Sequence, residues 1–226
     1  QNIMVTPIEQ HLNLQSKFGV IATQQGKASL TFTAVTKPDV DIIYYVFVVG
    51  SESVSQEDVV RWSPKLLSTN VPEPWVSTGT IRTGPAWRAF DNSISTSISV
   101  VKGDVSDTNF ILFSKIKSGV LVPFTVFGLI FMTATNKKKL DSLSVYGLKT
   151  GNFSDKELIA NIRLTNAWSL KNSYYEAMVW FTKPVKYGRY LFGDFSMDDL
   201  PLQEMYISDI AFLRSKADVI AEGGTV

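Results

Sequence analysis

The sequence contains no cysteine and a single histidine, His11, among its 226 residues. The lack of cysteine excludes a disulfide framework and a thiolate metal site. One histidine excludes a centre of several imidazoles, and a catalytic triad would depend on His11, which lies in a polar stretch. A glycosidase pair of carboxylates stays open, but the 21 acidic residues nominate no pair. We therefore expect a protein that is not an enzyme.

The chain also lacks an excess of either charge and a long apolar run. Its 22 basic and 21 acidic residues give a net charge of +1, which argues against a nucleic-acid partner. The most apolar stretch, residues 120–131, contains Pro123 and Gly128 and is shorter than the roughly 18 residues of a membrane helix. We expect no membrane insertion. Because the sequence starts at Gln1 without a signal pattern, we also expect a processed product or a piece of a longer chain.

Period-two alternation and β-branched residues dominate what is present, and helical periodicity is scarce. Strands are predicted at 18–22, 28–34, 40–49, 76–82, 97–101, 108–117, 120–134, 142–149, 158–164, 173–183, 187–195 and 203–213. Trp180 falls inside one of them and is expected in the core, whereas Trp168 is expected on an exposed loop. The pattern predicts an all-β chain folded as an antiparallel β-sandwich or jelly roll.

Two prolines, Pro72 and Pro74, mark a boundary between two regions. Residues 1–71 are predicted to form a small β-rich N-terminal region with one short helix over residues 53–62. That helix is supported by a capping-box pattern of Ser55 and Asp58. Residues 72–216 are predicted to form the sandwich, and residues 217–226 a tail. Residues 28–49 are loosely similar to part of a fibronectin type III-like fold.

Many oxygen donors follow the turn at Gly84 and Pro85. They are supplied within six residues by Asp91, Asn92, Ser93, Ser95 and Thr96. Calcium takes six to eight oxygens from such groups, so the loop is a candidate cation site. Short polar side chains also mark ordinary turns, because they bond to nearby backbone, and that interpretation stays open.

The segment from Ala89 to Ile98 resembles the entry loop of the discoidin, or coagulation factor 5/8 type C, family of galactose-binding-like β-sandwiches. That family reads A-F-D-G-N-x-S-T-x-W. The positions that match are Ala89, Phe90, Asp91, Ser95 and Thr96; the positions that depart are Asn92, Ser93 and Ile98. The likeness continues in element order to residues 207–212, which read ISDIAF where the family has I-S-E-I-x-F.

The resemblance implies one structural Ca2+. Carried over by position, its ligands would be Asp91, Thr96 and Asp209, with backbone oxygens from Arg88 and Ser93. The alternative is that Asp209 caps or pairs with a neighbouring loop, for instance with Arg88.

The resemblance also implies that ligands bind the loops at one end of the sandwich. The candidate ligand-binding residues there are Arg82, Trp87, Lys137, Lys138 and Lys139. An aromatic platform with polar donors suits a glycan. Buried packing for Trp87 and a solvated loop for the three lysines are the alternatives.

The function predicted from these observations is a non-enzymatic binding module for a glycan or another cell-surface ligand. Its expected setting is extracellular or on a virion, such as a bacteriophage tail or another viral adhesion apparatus. The alternative is a structural virion subunit, of a capsid, baseplate or fibre, whose sandwich binds other virion proteins or forms a homo-oligomer.

Overall fold

The computed structural model describes residues 19–24, 27–31, 58–105, 109–196 and 204–224. The chain divides into two compact units, residues 1–55 and residues 56–226. In the first unit, β1 (Gly19–Gln24) and β2 (Lys27–Thr31) form an antiparallel hairpin where two short strands are predicted. His11 and the predicted strand at residues 40–49 lie outside the described residues, and the fibronectin type III likeness stays a prediction.

The second unit consists mainly of strands. They are β3 (Val59–Trp62), β4 (Trp75–Thr80), β5 (Ile98–Val100), β6 (Phe110–Lys117), β7 (Val120–Leu121), β8 (Phe124–Ala134), β9 (Ser142–Leu148), β10 (Lys156–Arg163), β11 (Trp168–Leu170), β12 (Tyr174–Tyr187), β13 (Arg189–Ser196), β14 (Met205–Ile207) and β15 (Asp209–Ser215). Two 3-10 helices, Ala86–Phe90 and Phe153–Asp155, and one α-helix, α1 (Lys216–Ala221), complete the described elements. None of these helices is long and apolar enough to cross a membrane.

Two antiparallel sheets form the body of this unit. One has the strand order β10-β9-β13-β6-β4, with β7 paired to β6, and the other has the order β11-β12-β8-β15-β3. A short ladder of β14 with β5 stands beside them. Side chains of both sheets share one buried cluster. The predicted all-β antiparallel sandwich is therefore confirmed.

The strand β8 is buried on both of its faces. Phe131 faces the main core, whereas its neighbours Ile130 and Met132 belong to a second cluster on the opposite face, and all three are at most 2% exposed. A strand covered on both faces reads as a continuous apolar run, which is the pattern of residues 124–134. The predicted strand at 120–134 breaks at Pro123, which has no N–H to donate to a ladder.

The predicted helix over residues 53–62 is wrong at residues 59–62. The part of the predicted helix at 53–62 that is described is the strand β3, where Val59 and Val60 pair with β15. β3 thus belongs to the sandwich, and the predicted boundary at residues 71 and 72 lies inside the second unit. The predicted tail begins with α1, whose N-cap hydroxyl on Ser215 accepts a hydrogen bond from the Asp218 N–H.

Aromatic rings fill the space between the sheets. Phe212 of β15 lies 4.7 Å from Phe113 of β6, and Trp75 of β4 lies 5.0 Å from Phe124 of β8, measured between ring centroids. Phe90, from the 3-10 helix, is fully buried 4.6 Å from Phe113. Each such ring buries a large area, so the cluster is the main source of the apolar stabilisation.

One arginine lies inside this aromatic layer. Arg214 is 0% exposed, and its guanidinium lies 4.7 Å from the Trp62 ring centroid and 5.2 Å from that of Phe124. Both of its terminal nitrogens donate to the Glu222 carboxylate, at 2.8 and 3.0 Å, and Lys115 Nζ approaches the same carboxylate at 2.6 Å. Because α1 turns the chain back at residue 222, the helix supplies the counter-charge that a buried cation requires.

We expect Glu222→Gln to lower the free energy of unfolding at pH 7 by about 2 kcal/mol, since Arg214 would stay buried without a counter-charge. Burial raises the pKa of Glu222, but hydrogen bonds from Arg214 and Lys115 outweigh it and hold the pKa below the usual 4.5. A carboxylate with a lowered folded pKa stabilises above its unfolded pKa and loses that contribution as pH falls through the folded value.

The gap between wild type and variant should therefore be widest at pH 7 and close as the pH falls below 4.5. Urea unfolding at pH 7, 5 and 3 measures it, with the exposed Glu73→Gln as the matched control. An equal gap at all three pH values would contradict this explanation.

Candidate functional site

The connections at one end of the sandwich carry the predicted site residues and bring some of them into contact. β4 and β8 end there, β9 and β15 begin there, and β14 is tied to the same end because Tyr206 N donates to Lys138 O at 2.9 Å. We call residues 81–87, 91–97, 135–141 and 204–208 of this region the loop end.

Four polar side chains form a connected group at the loop end. Arg82 Nε donates to Glu204 Oε1 at 3.3 Å, and Tyr206 Oη donates to Glu204 Oε2 at 2.9 Å. Lys137 Nζ lies 4.5 Å from the centroid of the Tyr206 ring. We call Arg82, Lys137, Glu204 and Tyr206 the Tyr206 cluster. The structure thus joins two of the predicted ligand-binding residues through two residues that were not predicted.

The charges of the Tyr206 cluster support one another. Hydrogen bonds from Tyr206 and Arg82 hold the pKa of Glu204 below its usual value. The same bond to Glu204 raises the pKa of Tyr206, so the phenol stays a hydrogen-bond donor at neutral pH. The cluster therefore offers fixed cations, one carboxylate and an aromatic ring, which are the groups that position hydroxyl-rich molecules.

The remaining predicted ligand-binding residues are divided between different surroundings. Lys138 is exposed at the tip of the connection between β8 and β9. Lys139 Nζ lies 3.9 Å from the centroid of Tyr175, on β12. Trp87 is half-buried in the 3-10 helix and packs against the main core, with the Arg88 guanidinium 5.7 Å from its ring centroid. No contact among the described residues joins Trp87 to the Tyr206 cluster.

The predicted cation ligands lie in one loop and at the start of β15. Asp91 Oδ1 accepts from Ser93 N at 2.9 Å, and its Oδ2 accepts from the Thr96 hydroxyl at 2.6 Å. Asp209 Oδ1 accepts from Asn92 N at 3.0 Å, so Asp209 caps the neighbouring loop, which is the alternative left open by the sequence. The structure therefore brings together Asp91, Ser93, Thr96 and Asp209.

The second oxygen of Asp209 distinguishes this loop from an ordinary turn. Asp209 is 1% exposed, and its Oδ2 has no hydrogen-bond partner. Burial raises the pKa of Asp209 to about 7, the charge of Asp91 adds to the effect, and Arg61 opposes it. Burial also raises the pKa of Asp91. In both carboxylates burial outweighs the opposing charge of an arginine, Arg61 for Asp209 and Arg88 for Asp91, and a bound cation would lower both pKa values.

Not every part of the predicted cation site is present. Arg88 N donates to Pro85 O, but no described contact brings the Arg88 carbonyl oxygen to the two carboxylates. Within the described ranges, no group of three or more histidine or acidic side chains is gathered for a metal. The oxygens that fit a hard cation are thus the free Asp209 Oδ2, the Ser93 carbonyl and the Thr96 hydroxyl beside Asp91.

Two tryptophans outside the site have the opposite exposure to the one predicted. Trp168 lies on β11 and packs against the main core, and its Nε1 donates to Leu140 O at 2.9 Å. Trp180, on β12, is 40% exposed. Both predictions are wrong because pattern alone does not reveal which face of a strand its partner sheet covers.

Glu204 and Tyr206 are the functional candidates that sequence reasoning missed. They are two residues apart at the start of the strand predicted at 203–213, and Met205 and Ile207 between and after them are buried. Because side chains alternate between the two faces of a strand, Glu204 and Tyr206 share the outward face. A tyrosine beside a carboxylate on an outward face was the sequence signal that could have identified them.

The similarity of the chain to known proteins is to solved structures. No family model and no curated protein matches it. Among solved structures it is similar to the family 32 carbohydrate-binding module of Clostridium perfringens NanJ in complex with galactose, at 14% identity over 62% of this chain and 92% of the other, with a TM-score of 0.42. The family 32 module of AlyQ in complex with 4,5-unsaturated mannuronic acid gives 13% identity over 61% and 92%, with a TM-score of 0.43.

A fucolectin from striped bass (Morone saxatilis) serum gives 11% identity over 62% of this chain and 47% of the other, with a TM-score of 0.43.

Asn92 generates a prediction about the loop that carries Asp91. Its φ of 59° lies in the left-handed region. The discoidin family, which this segment resembles, has glycine at the same position. We expect Asn92→Gly to preserve the free energy of unfolding within about 0.5 kcal/mol, whereas Asn92→Ala lowers it by about 1 kcal/mol, because a Cβ without a local hydrogen bond is disfavoured there. Chemical unfolding of both variants measures the difference. Equal stabilities would show that this backbone conformation is not adopted.

Proposed function

We propose that this protein is a non-catalytic binding module that recognises a glycan with its loop end. The observation that carries the proposal is the Tyr206 cluster, in which Lys137 lies against the tyrosine ring and Glu204 accepts hydrogen bonds from both Tyr206 and Arg82. Sugars present apolar ring faces and hydroxyl rims, so they bind where an aromatic surface adjoins fixed donors and acceptors.

The geometry of the cluster supports a role in binding more than a role in stability. The Arg82 side chain is 64% exposed and that of Glu204 33% exposed, and an ion pair at such a surface contributes little to folding. Because this ion pair contributes little to folding, Arg82 and Glu204 can each exchange the other for a ligand hydroxyl at small energetic cost. Lys138 is exposed on the same connection as Lys137 and extends this surface.

The wider setting stays a prediction. Display on a virion or in an extracellular space is the context expected from the sequence, as is the alternative of a structural virion subunit. The roles of Trp87 and Lys139 also stay predictions, and Trp87 has the weaker support because it packs against the core.

The proposal is tested by binding to a glycan array followed by calorimetric titration. Galactose and 4,5-unsaturated mannuronic acid, the sugars bound in two of the structures above, are the first probes. We expect the double variant Arg82→Ala and Lys137→Ala to weaken binding about tenfold or more, since it removes two charged donors.

Lys117→Ala is the matched control for the glycan test, because it removes an exposed lysine from the last position of β6, at the other end of the sandwich. Retention of full affinity by the double variant would remove the Tyr206 cluster from the site. Absence of any glycan ligand from the array would contradict the function itself.

A structural calcium ion at Asp209 is the second part of the proposal. Its support is the buried Asp209 Oδ2 that lacks a partner, beside the oxygens of Asp91, Ser93 and Thr96. The ion would compensate two desolvated carboxylates and fix the loop that supports the loop end.

Melting in excess calcium and in chelator tests the ion. At a calcium concentration about 100 times Kd we expect stabilisation by about 2.7 kcal/mol, or a rise in Tm of roughly 5–10 °C. Asp209→Asn should abolish the rise, and Asp104→Asn, an exposed control, should keep it. Identical melting of the wild type in both buffers would end the calcium proposal.

A further inference from the structure

A cavity lies at the end of the sandwich opposite the loop end. It has a volume of about 410 Å3. Its walls come from the end of β12, the end of β9, the start of β10 and the link before β8. We call it the Tyr187 pocket; the residues that line it include Pro123, Glu157, Lys183, Pro184, Lys186 and Tyr187.

An irregularity in β12 forms one wall of the Tyr187 pocket. The ladder between β12 and β8 loses register between Trp180 and Val185, then resumes with Val185 opposite Val126. Residues 181–184 therefore leave the ladder, and Pro184, which has no N–H, lies in this segment. Such bulges re-aim side chains and are frequent beside binding sites. Here the bulge carries Lys183, and the resumed strand carries Lys186, on the rim of the cavity.

The tyrosine of the pocket is held in a fixed position. A Cβ at Gly147 would overlap the Tyr187 ring, so the ring lies directly on the backbone of β9. Tyr187 Oη donates to Glu157 Oε2 at 2.7 Å, and the ring meets that of Tyr190 edge to face at 6.0 Å. A ring fixed on these sides is a pre-organised apolar surface, which reduces the entropy lost on binding.

The charges of the pocket are not balanced. Glu157 is occupied, because Lys149 Nζ contacts its Oε1 at 2.5 Å and Tyr187 its Oε2, and these bonds hold the pKa of Glu157 below its usual value. Asp155, the other nearby acid, accepts from Thr150 N. Among the described residues, no carboxylate pairs with Lys183 or Lys186. Two cations thus remain beside an apolar wall without a counter-charge.

We propose that the Tyr187 pocket binds an anionic saccharide, that is, a sugar ring bearing a carboxylate or a sulfate ester. Lys183 and Lys186 contact the anionic group, and Tyr187 with the rings of Pro123 and Pro184 contacts the apolar face of the sugar. The volume is in the range of small-ligand sites and accommodates a sugar ring. A bare inorganic anion would leave the apolar wall unused. This site is independent of the glycan site proposed at the loop end.

The experiment titrates the wild-type protein with a sulfated heparin disaccharide, with glucuronic acid and with glucose. We expect the disaccharide or glucuronic acid to bind, glucose to bind at least tenfold more weakly, and the binding to weaken as salt is raised. The sulfated and carboxylated probes distinguish the two sources of negative charge. Equal binding of glucose, or no binding of either anionic probe, overturns the proposal.

Matched variants locate the site. Lys183→Gln with Lys186→Gln should reduce affinity about tenfold or more, because it removes both unpaired cations. Lys65→Gln with Lys102→Gln removes the same charge from exposed positions outside the pocket and should leave affinity unchanged. An equal loss in both double variants would indicate non-specific attraction and overturn the proposal, as would full affinity in the first. Arg82→Ala with Lys137→Ala should retain this binding, so failure here and failure at the loop end are distinguishable.

Discussion

The buried ion pair of Arg214 with Glu222 is the constraint on which the sandwich depends. A guanidinium without exposure is costly to desolvate, and it is tolerated because a carboxylate meets both of its terminal nitrogens while aromatic rings lie against it. The pair also ties the chain that follows β15 back onto the body, because Glu222 comes after α1. An apolar residue at 214 would fill the same space without specifying where the C-terminal helix lies.

β15 connects the buried ion pair of Arg214 with the loop end, because the strand begins at Asp209. Phe212 and Arg214 face the aromatic core, whereas Asp209 belongs to the opposite face and begins the strand at the loop end. The strand lies between β8 and β3 in its sheet. Through Asp209 it contacts the loop that contains Asp91, and the short β14 before it positions Tyr206. The stable part of the fold and the candidate site are thus joined by one continuous segment.

The sequence predicts what depends on local alternation and misses what depends on distant pairing. β6 and β13 are predicted within two residues of their observed bounds, because their apolar residues and flanking turns are local signals. β3 is mistaken for a helix, since a capping pattern precedes it and its partner lies more than 140 residues away in β15. At the site, Arg82 and Lys137 are predicted, but Glu204, which holds Arg82, is not, because only the fold brings the two together.

We propose that one end of this sandwich recognises a glycan through a cluster built from three separate connections. Backbone amide shifts recorded during titration with a glycan selected from the array test it most directly, because they report contacts residue by residue. We expect the largest amide shifts at Arg82, Lys137 and residues 204–206. The amides of Phe212 and Arg214, whose side chains face the core, should change little. Shifts confined to the body of either sheet, or absent from all three connections, would contradict it.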